Sequence, residues 1–206
     1  MSVSLATAWN PRGEIHRFER LLPTLAAAYS GLAVSVPPFA RREDIDRLRA
    51  LIGDGLIVTE DWSHGRHAAM QKALEYPCTH VHYVDADRLL RWVETCPEEW
   101  QRVVEDVSRA ECLVIGRTEA AWETHPQALR QTERISNAIF SHLLGQELDL
   151  SAGSKGFSRV ATEFILANSR PGRALGTDSE WIVLAHRAGF RVETLLVDGL
   201  DWEIAD

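Results

Sequence analysis

Two aspartates, Asp85 and Asp87, flank one alanine where the apolar run His80 to Val84 gives way to charged residues. Side chains at i and i+2 that leave a buried strand through a turn enter the same small volume. Like charges that close repel unless a cation or hydrogen-bond donors compensate. A hard divalent ion such as Mg²⁺ or Mn²⁺ does this well, because it prefers carboxylate oxygens together with substrate phosphates. Held there, it stabilises charge building on a diphosphate leaving group. The bland alternative is a pair of solvated loop aspartates capping a helix that begins near Arg88. Spacing alone does not separate the two. Two histidine pairs, His64 with His67 and His80 with His82, have spacing that could bind zinc, but no third ligand stands at a convincing distance. They read as packing or hydrogen-bonding histidines.

The elements that must carry these residues follow from hydrophobic periodicity. Val3–Ala8, Leu32–Val36, Gly55–Val58 and His80–Val84 read as short buried strands. Helical patterns over Glu14–Tyr29, Arg42–Ile52 and Arg66–Leu74 separate them, and Trp9 to Gly13 and Pro37-Pro38 act as breaks. Strand and helix alternating at this spacing means βαβ crossovers, so the expected fold is a three-layer α/β/α domain with a mainly parallel central sheet. Ligands bind such sheets at the carboxyl ends of the strands. Asp85 and Asp87 lie at one such end, as do Trp9, Asn10 and Asp61, with Arg66 opening the helix just after. The second half is less regular. Helices are expected over Leu89–Val93, Glu98–Val107, Pro126–Leu144 and Thr177–Ala188, with strands at Cys112–Ile115 and Arg191–Val197. Asp149 to Phe157, rich in Gly and Ser, reads as a loop. In the long helix Leu129, Ile135, Ile139 and Leu143 share one face, and Gly145 stops it.

Bulk properties narrow the function. With 206 residues the chain suits one large domain, 1–206. Its net charge of −8, from 30 acidic and 22 basic residues, argues against non-specific binding to nucleic acid or to anionic membranes. Cys78, Cys96 and Cys112 lack metal or redox spacing and read as reduced packing residues. No secretory leader pattern opens the sequence, and no run of about 18 apolar residues is long enough to cross a bilayer. The expected location is cytoplasmic. A homodimer is compatible with all of this, and nothing in the sequence fixes the assembly.

Context around the acidic triplet adds a family likeness. The stretch His80-Val81-His82-Tyr83-Val84-Asp85-Ala86-Asp87 resembles the GT-A glycosyltransferases, in particular family 2 enzymes of the polyprenyl-phosphate mannose synthase sort, which carry Asp-Ala-Asp at this point. The likeness continues through Val114-Ile115-Gly116-Arg117, Arg134 with Asn137, and Asp149-Leu150-Ser151-Ala152-Gly153-Ser154-Lys155. It resumes at Thr177-Asp178-Ser179-Glu180-Trp181 and Gly189-Phe190-Arg191-Val192. In order and spacing the set covers roughly residues 3 to 197.

The resemblance implies a GT-A type of nucleotide-diphospho-sugar transferase domain, with a nucleotide-binding half over about 1–87 and an acceptor half over about 88–206. Asp87 would bind the metal that bridges the donor diphosphate, and Asp85 would touch the donor ribose or share that metal. Arg117 and Arg134 would face phosphate oxygens, for which a forked guanidinium is suited. Ser151, Gly153 and Lys155 would form the acceptor-side loop, the glycine allowing close backbone approach. Asp178, eleven residues before Gly189, matches the base of inverting relatives, and Glu180 is its rival. Thr177 and Glu180 also have the spacing of a capping box.

Two departures stand beside the likeness. Trp9-Asn10-Pro11 replaces the usual residues after the first strand. Pro37-Pro38-Phe39 stands where relatives place a base-reading aspartate, a role that Asp61 or Trp62 could take over. The reading is a metal-dependent transfer of a sugar from a nucleotide-diphosphate donor to a hydroxyl acceptor. The alternative is a nucleotide-sugar-binding domain that kept the fold and lost the chemistry. A haloacid dehalogenase-type phosphatase fits less well, because its Asp-x-Asp follows the first strand and this one follows the fourth.

Overall fold

The structure is a computed structural model that describes residues 1–172 and 176–203. Strands β1 (Val3–Ala8), β2 (Leu32–Val36) and β4 (His80–Val84) are buried almost throughout, as strands covered by helices on both faces should be. With β3 (Leu56–Val58) they form a parallel half-sheet in which β1 pairs with both β2 and β4. The second half adds β5 (Cys112–Arg117), β6 (Ser154–Ser158) and β7 (Val192–Val197), giving the order β3-β2-β1-β4-β6-β5-β7. Among the described strands only β6 is antiparallel to its neighbours, β4 and β5.

Helices cover both faces. On one side α1 (Ile15–Ala28), α2 (Arg42–Ile52), α4 (Ala86–Thr95) and α5 (Pro97–Val107) enclose a cluster that includes Phe18, Leu25, Leu48, Trp92 and Trp100. On the other, α3 (Gly65–Ala73), α8 (Arg159–Asn168) and α9 (Thr177–Arg187) enclose Met70, Ile165, Trp181 and Ile182. The fold is therefore the expected three-layer α/β/α arrangement on a mainly parallel sheet. No helix among the described residues is long and apolar enough to cross a membrane.

Three elements differ from the sequence reading. Ser154–Ser158, read as loop, is a strand. Helix α8 follows it directly, with the Ser158 side chain accepting from the Ala161 amide as its cap. A short helix α6 (Glu119–Glu123) precedes the long helix α7 (Gln127–Leu144). Gly145 ends α7 in the left-handed region at φ 70°, as expected of a stop glycine. Its apolar face points the other way, however. Ile135, Ile139 and Leu143 are 66%, 53% and 64% exposed. The residues turned inward include polar Asn137 and Ser141, which bond the loop after the helix.

The histidine on β4 shows how polar groups are accommodated in this core. His82 is fully buried and shares hydrogen bonds with Tyr29 Oη at 2.8 Å and Ser154 Oγ at 3.0 Å. Trp100 Nε1 donates to the same tyrosine at 3.1 Å. Burial pushes the imidazole down to about 3. Between the ordinary histidine value and that figure, the unfolded chain takes up a proton that the native state refuses, so stability falls as pH drops through this window. From pH 7 to 5 this one group removes about 2 kcal/mol. In urea titrations at both pH values, a His82→Gln variant should lie below wild type at pH 7 and close that gap by this amount at pH 5. Parallel curves would show that His82 is not the group responsible.

Candidate active site

Strand order reverses between β1 and β4: the chain runs outward from β1 to β3, then returns to place β4 on the other side of β1. The loops leaving the two strands therefore diverge and leave a crevice, the usual place for a ligand in such sheets. A cleft of about 340 Å³ lies there. Trp9 forms one wall, buried against Phe18 at 5.6 Å between ring centroids and fixed by its amide on Ser35 O at 2.8 Å. Asn10 and Arg12 line the cleft from the β1 side, and Arg66, Asp85 and Asp87 from the other.

Asp85 heads α4, but its side chain caps nothing. Tyr83 Oη donates to its Oδ1 at 2.6 Å, and Arg66 Nη2 donates to Oδ1 and Oδ2 at 3.1 and 3.0 Å. Gly153 closes the far side. Its φ of 78° lies in the left-handed region, and a β-carbon there would come 2.7 Å from Asp85 Oδ2. The other edge of Arg66 reaches Asp178: Nη1 donates to Oδ2 at 2.5 Å and to Thr177 Oγ1 at 3.3 Å. Lys155, 1% exposed on its side chain, donates to the other Asp178 oxygen at 2.8 Å and to Leu150 O at 2.9 Å. Two acids and two bases thus form one continuous chain from β4 through α3 to α9 and β6. Burial pushes the Asp85 carboxyl up, and Arg66 only partly offsets it. Burial pushes Asp178 up as well, but Lys155 and Arg66 together outweigh that and hold it below the ordinary carboxylate range.

Asp87 is the exposed member of the triplet and makes no hydrogen bond or ion pair with the described residues. The two carboxylates are therefore not equivalent toward a metal. Asp85 has its oxygens taken by Tyr83 and Arg66 and faces Gly153, whereas Asp87 has free oxygens beside the cleft. A Mg²⁺ or Mn²⁺ ion held by one protein carboxylate plus substrate phosphates fits at Asp87. Among the described residues no group of three or more His, Cys, Asp or Glu side chains could hold a metal alone.

The remaining candidates lie elsewhere. Arg117 is buried at the end of β5, where Asp149 holds its Nε and Nη2 at 2.7 and 2.8 Å and Glu133 takes Nη2 at 2.7 Å. Its guanidinium lies 4.3 Å over the Trp122 ring. Arg134 is exposed, and both arginines line a second cleft of about 520 Å³ between α7 and β7. Ser151 Oγ donates to Asn137 Oδ1 at 3.2 Å, so the turn before β6 is pinned to α7. Asp61 accepts from the amide and hydroxyl of Ser63, both at 2.8 Å, as the cap of the Trp62–His64 turn. Glu180 accepts from Ser169 Oγ at 2.7 Å, and the expected capping box does not form, since Gly176 occupies the cap position of α9. Sequence reading missed Arg12 and Tyr83. The signal for Tyr83 was its place two residues before Asp85, which on a strand directs both side chains to the same face.

No protein-family model matches the chain, and no curated protein is detectably similar to it. Among solved structures, the Rv0371c protein of Mycobacterium tuberculosis H37Rv matches over 95% of this chain and 87% of its own, at a TM-score of 0.52 and 17% identity. Glucosyl-3-phosphoglycerate synthase from Mycobacterium tuberculosis, solved with phosphoglyceric acid, matches over 92% and 81% at a TM-score of 0.43 and 13% identity. The first likeness shows a shared fold. The second is too loose to add to it.

Proposed function

We propose that the chain transfers a sugar from a nucleotide-diphosphate donor to a hydroxyl acceptor, with the cleft between the β1 and β4 loops as the donor site. One observation carries this reading: Asp85 and Asp178, from opposite halves of the chain, meet at Arg66 on the wall of that cleft. Trp9 and Asn10, which line the cleft, would contact the nucleoside, and the guanidinium of Arg66 suits diphosphate oxygens. A divalent ion at Asp87, when bound, neutralises charge on the departing diphosphate. In the transfer, the acceptor oxygen bonds to the anomeric carbon as that carbon's bond to the diphosphate oxygen breaks. The bonding pair leaves on the diphosphate, and the hydroxyl proton passes to Asp178 as general base.

A second reading has an observation of its own. Both Asp178 oxygens are held by cations, which suits a domain that binds a nucleotide sugar without turning it over.

Thermal shift against nucleoside diphosphates and nucleotide sugars, with and without Mn²⁺, separates these, followed by donor hydrolysis. Metal-dependent stabilisation with turnover is expected. Asp87→Asn should lower turnover by at least about 100-fold, the rate equivalent of several kcal/mol of charge stabilisation. Binding without hydrolysis, even with varied acceptors, favours the second reading. No stabilisation by any nucleotide removes both.

A further inference from the structure

Arg66 stands between two carboxylates that are not equally dependent on it. Among the described residues, Asp85 has only the Tyr83 hydroxyl besides Arg66. Asp178 is held a second time, by the buried ammonium of Lys155 at 2.8 Å. Among the described residues, the charged and titratable groups facing Asp178 are therefore Arg66 from α3 and Lys155 from β6, with Asp85 and Tyr83 of the β4 end across the guanidinium. A diphosphate entering the cleft offers a forked cation more oxygens and more charge than one carboxylate does. Of the two partners Arg66 could release, Asp178 is the one that stays anchored.

We propose that Arg66 couples donor binding to the availability of Asp178: diphosphate oxygens in the cleft draw the Nη1 edge away from Asp178 and free its Oδ2 to receive the acceptor's proton. The proposal rests on the donor-site reading above and adds to it an order of events. With the cleft empty, Asp178 is masked. With the donor seated, Oδ2 is open while Lys155 keeps the side chain in place. Productive acceptor binding follows the donor.

The test is a double-mutant cycle on equilibrium binding, so no acceptor is needed. The probe is whichever of ADP, CDP, GDP and UDP gives wild type the largest thermal shift with Mn²⁺, titrated calorimetrically. Asp178→Asn removes the competitor for Arg66 and should tighten binding between about 5- and 150-fold, the usual range for coupled sites. In an Arg66→Gln background the same substitution should change affinity less than about twofold. A gain that persists at full size without Arg66 reflects plain charge repulsion and overturns the coupling, as does no gain in either background. A wild type that binds none of the four probes overturns the donor-site reading and the coupling with it. Each variant is checked for cooperative melting, and Asp178→Ser repeats the cycle should the asparagine variant fail to fold.

Discussion

An Asp149→Ala variant is expected to lose about 3–5 kcal/mol of folding stability, the range measured when one partner of a buried ion pair is removed. The reason is the company Asp149 keeps. Its carboxylate accepts from the Arg117 amide at 3.0 Å, from Nε and Nη2 of the same arginine, and from Asn137 Nδ2 at 2.7 Å. Without it, a guanidinium whose side chain is 1% exposed keeps Glu133 as its one carboxylate partner among the described residues, and two further donors lose their acceptor. Burial alone pushes the Asp149 carboxyl up, yet its bonds to Arg117 hold it below the ordinary carboxylate range. The stabilisation is therefore fully present above the unfolded-state value and is lost as pH falls through the lower native one. Urea unfolding at pH 7 reads the difference directly. A loss under about 1 kcal/mol would mean that Arg117 is reached by solvent and free for other partners.

Gly153→Ala should separate stability from activity. An alanine at φ 78° costs about 1–2 kcal/mol as left-handed backbone, which a domain of this size survives. Its β-carbon, however, would lie 2.7 Å from Asp85 Oδ2, and Asp85 cannot swing away without breaking its contacts with Arg66 and Tyr83. Displacing that carboxylate by even about 1 Å also moves Arg66, a shift of the size that removes about 100-fold in turnover. The expected variant is folded, melts somewhat early, and hydrolyses donor about 100-fold more slowly. Unchanged hydrolysis would detach Asp85 from the chemistry.

Much of this arrangement was legible from residue order. The βαβ alternation of residues 3 to 84 made the parallel half-sheet legible, since each strand there is a short, mostly apolar run bounded by breaks and each helix has its own periodicity. The triplet at Asp85 was correctly placed at a strand end. Ser154–Ser158 was not legible, because Ser, Lys and Gly have poor strand preferences and are held only by pairing with β4 and β5 on either side. Missing that strand hid the burial of Lys155, and with it the cation that meets Asp178. The apolar face of α7 misled for a related reason: polar Asn137 and Glu133 are drawn inward by Asp149 and Arg117, which lie far from them in sequence. Arg117 had the right chemistry for phosphate, but no spacing rule shows that a carboxylate 32 residues later would occupy it.

The antiparallel strand also bears on how the chain is made. β4 and β5 share no ladder; each waits for β6, which is synthesised well after both. A nascent chain that has just produced β5 therefore carries an open edge on β4 and two on β5, one awaiting β6 and the other β7, of the kind that invite pairing with other chains. Closing them brings Gly153, Lys155 and, soon after, Asp178 to Asp85 in one late, long-range step. Joining the two parts of the sheet through β6 and assembling the charged cluster are thus the same folding event.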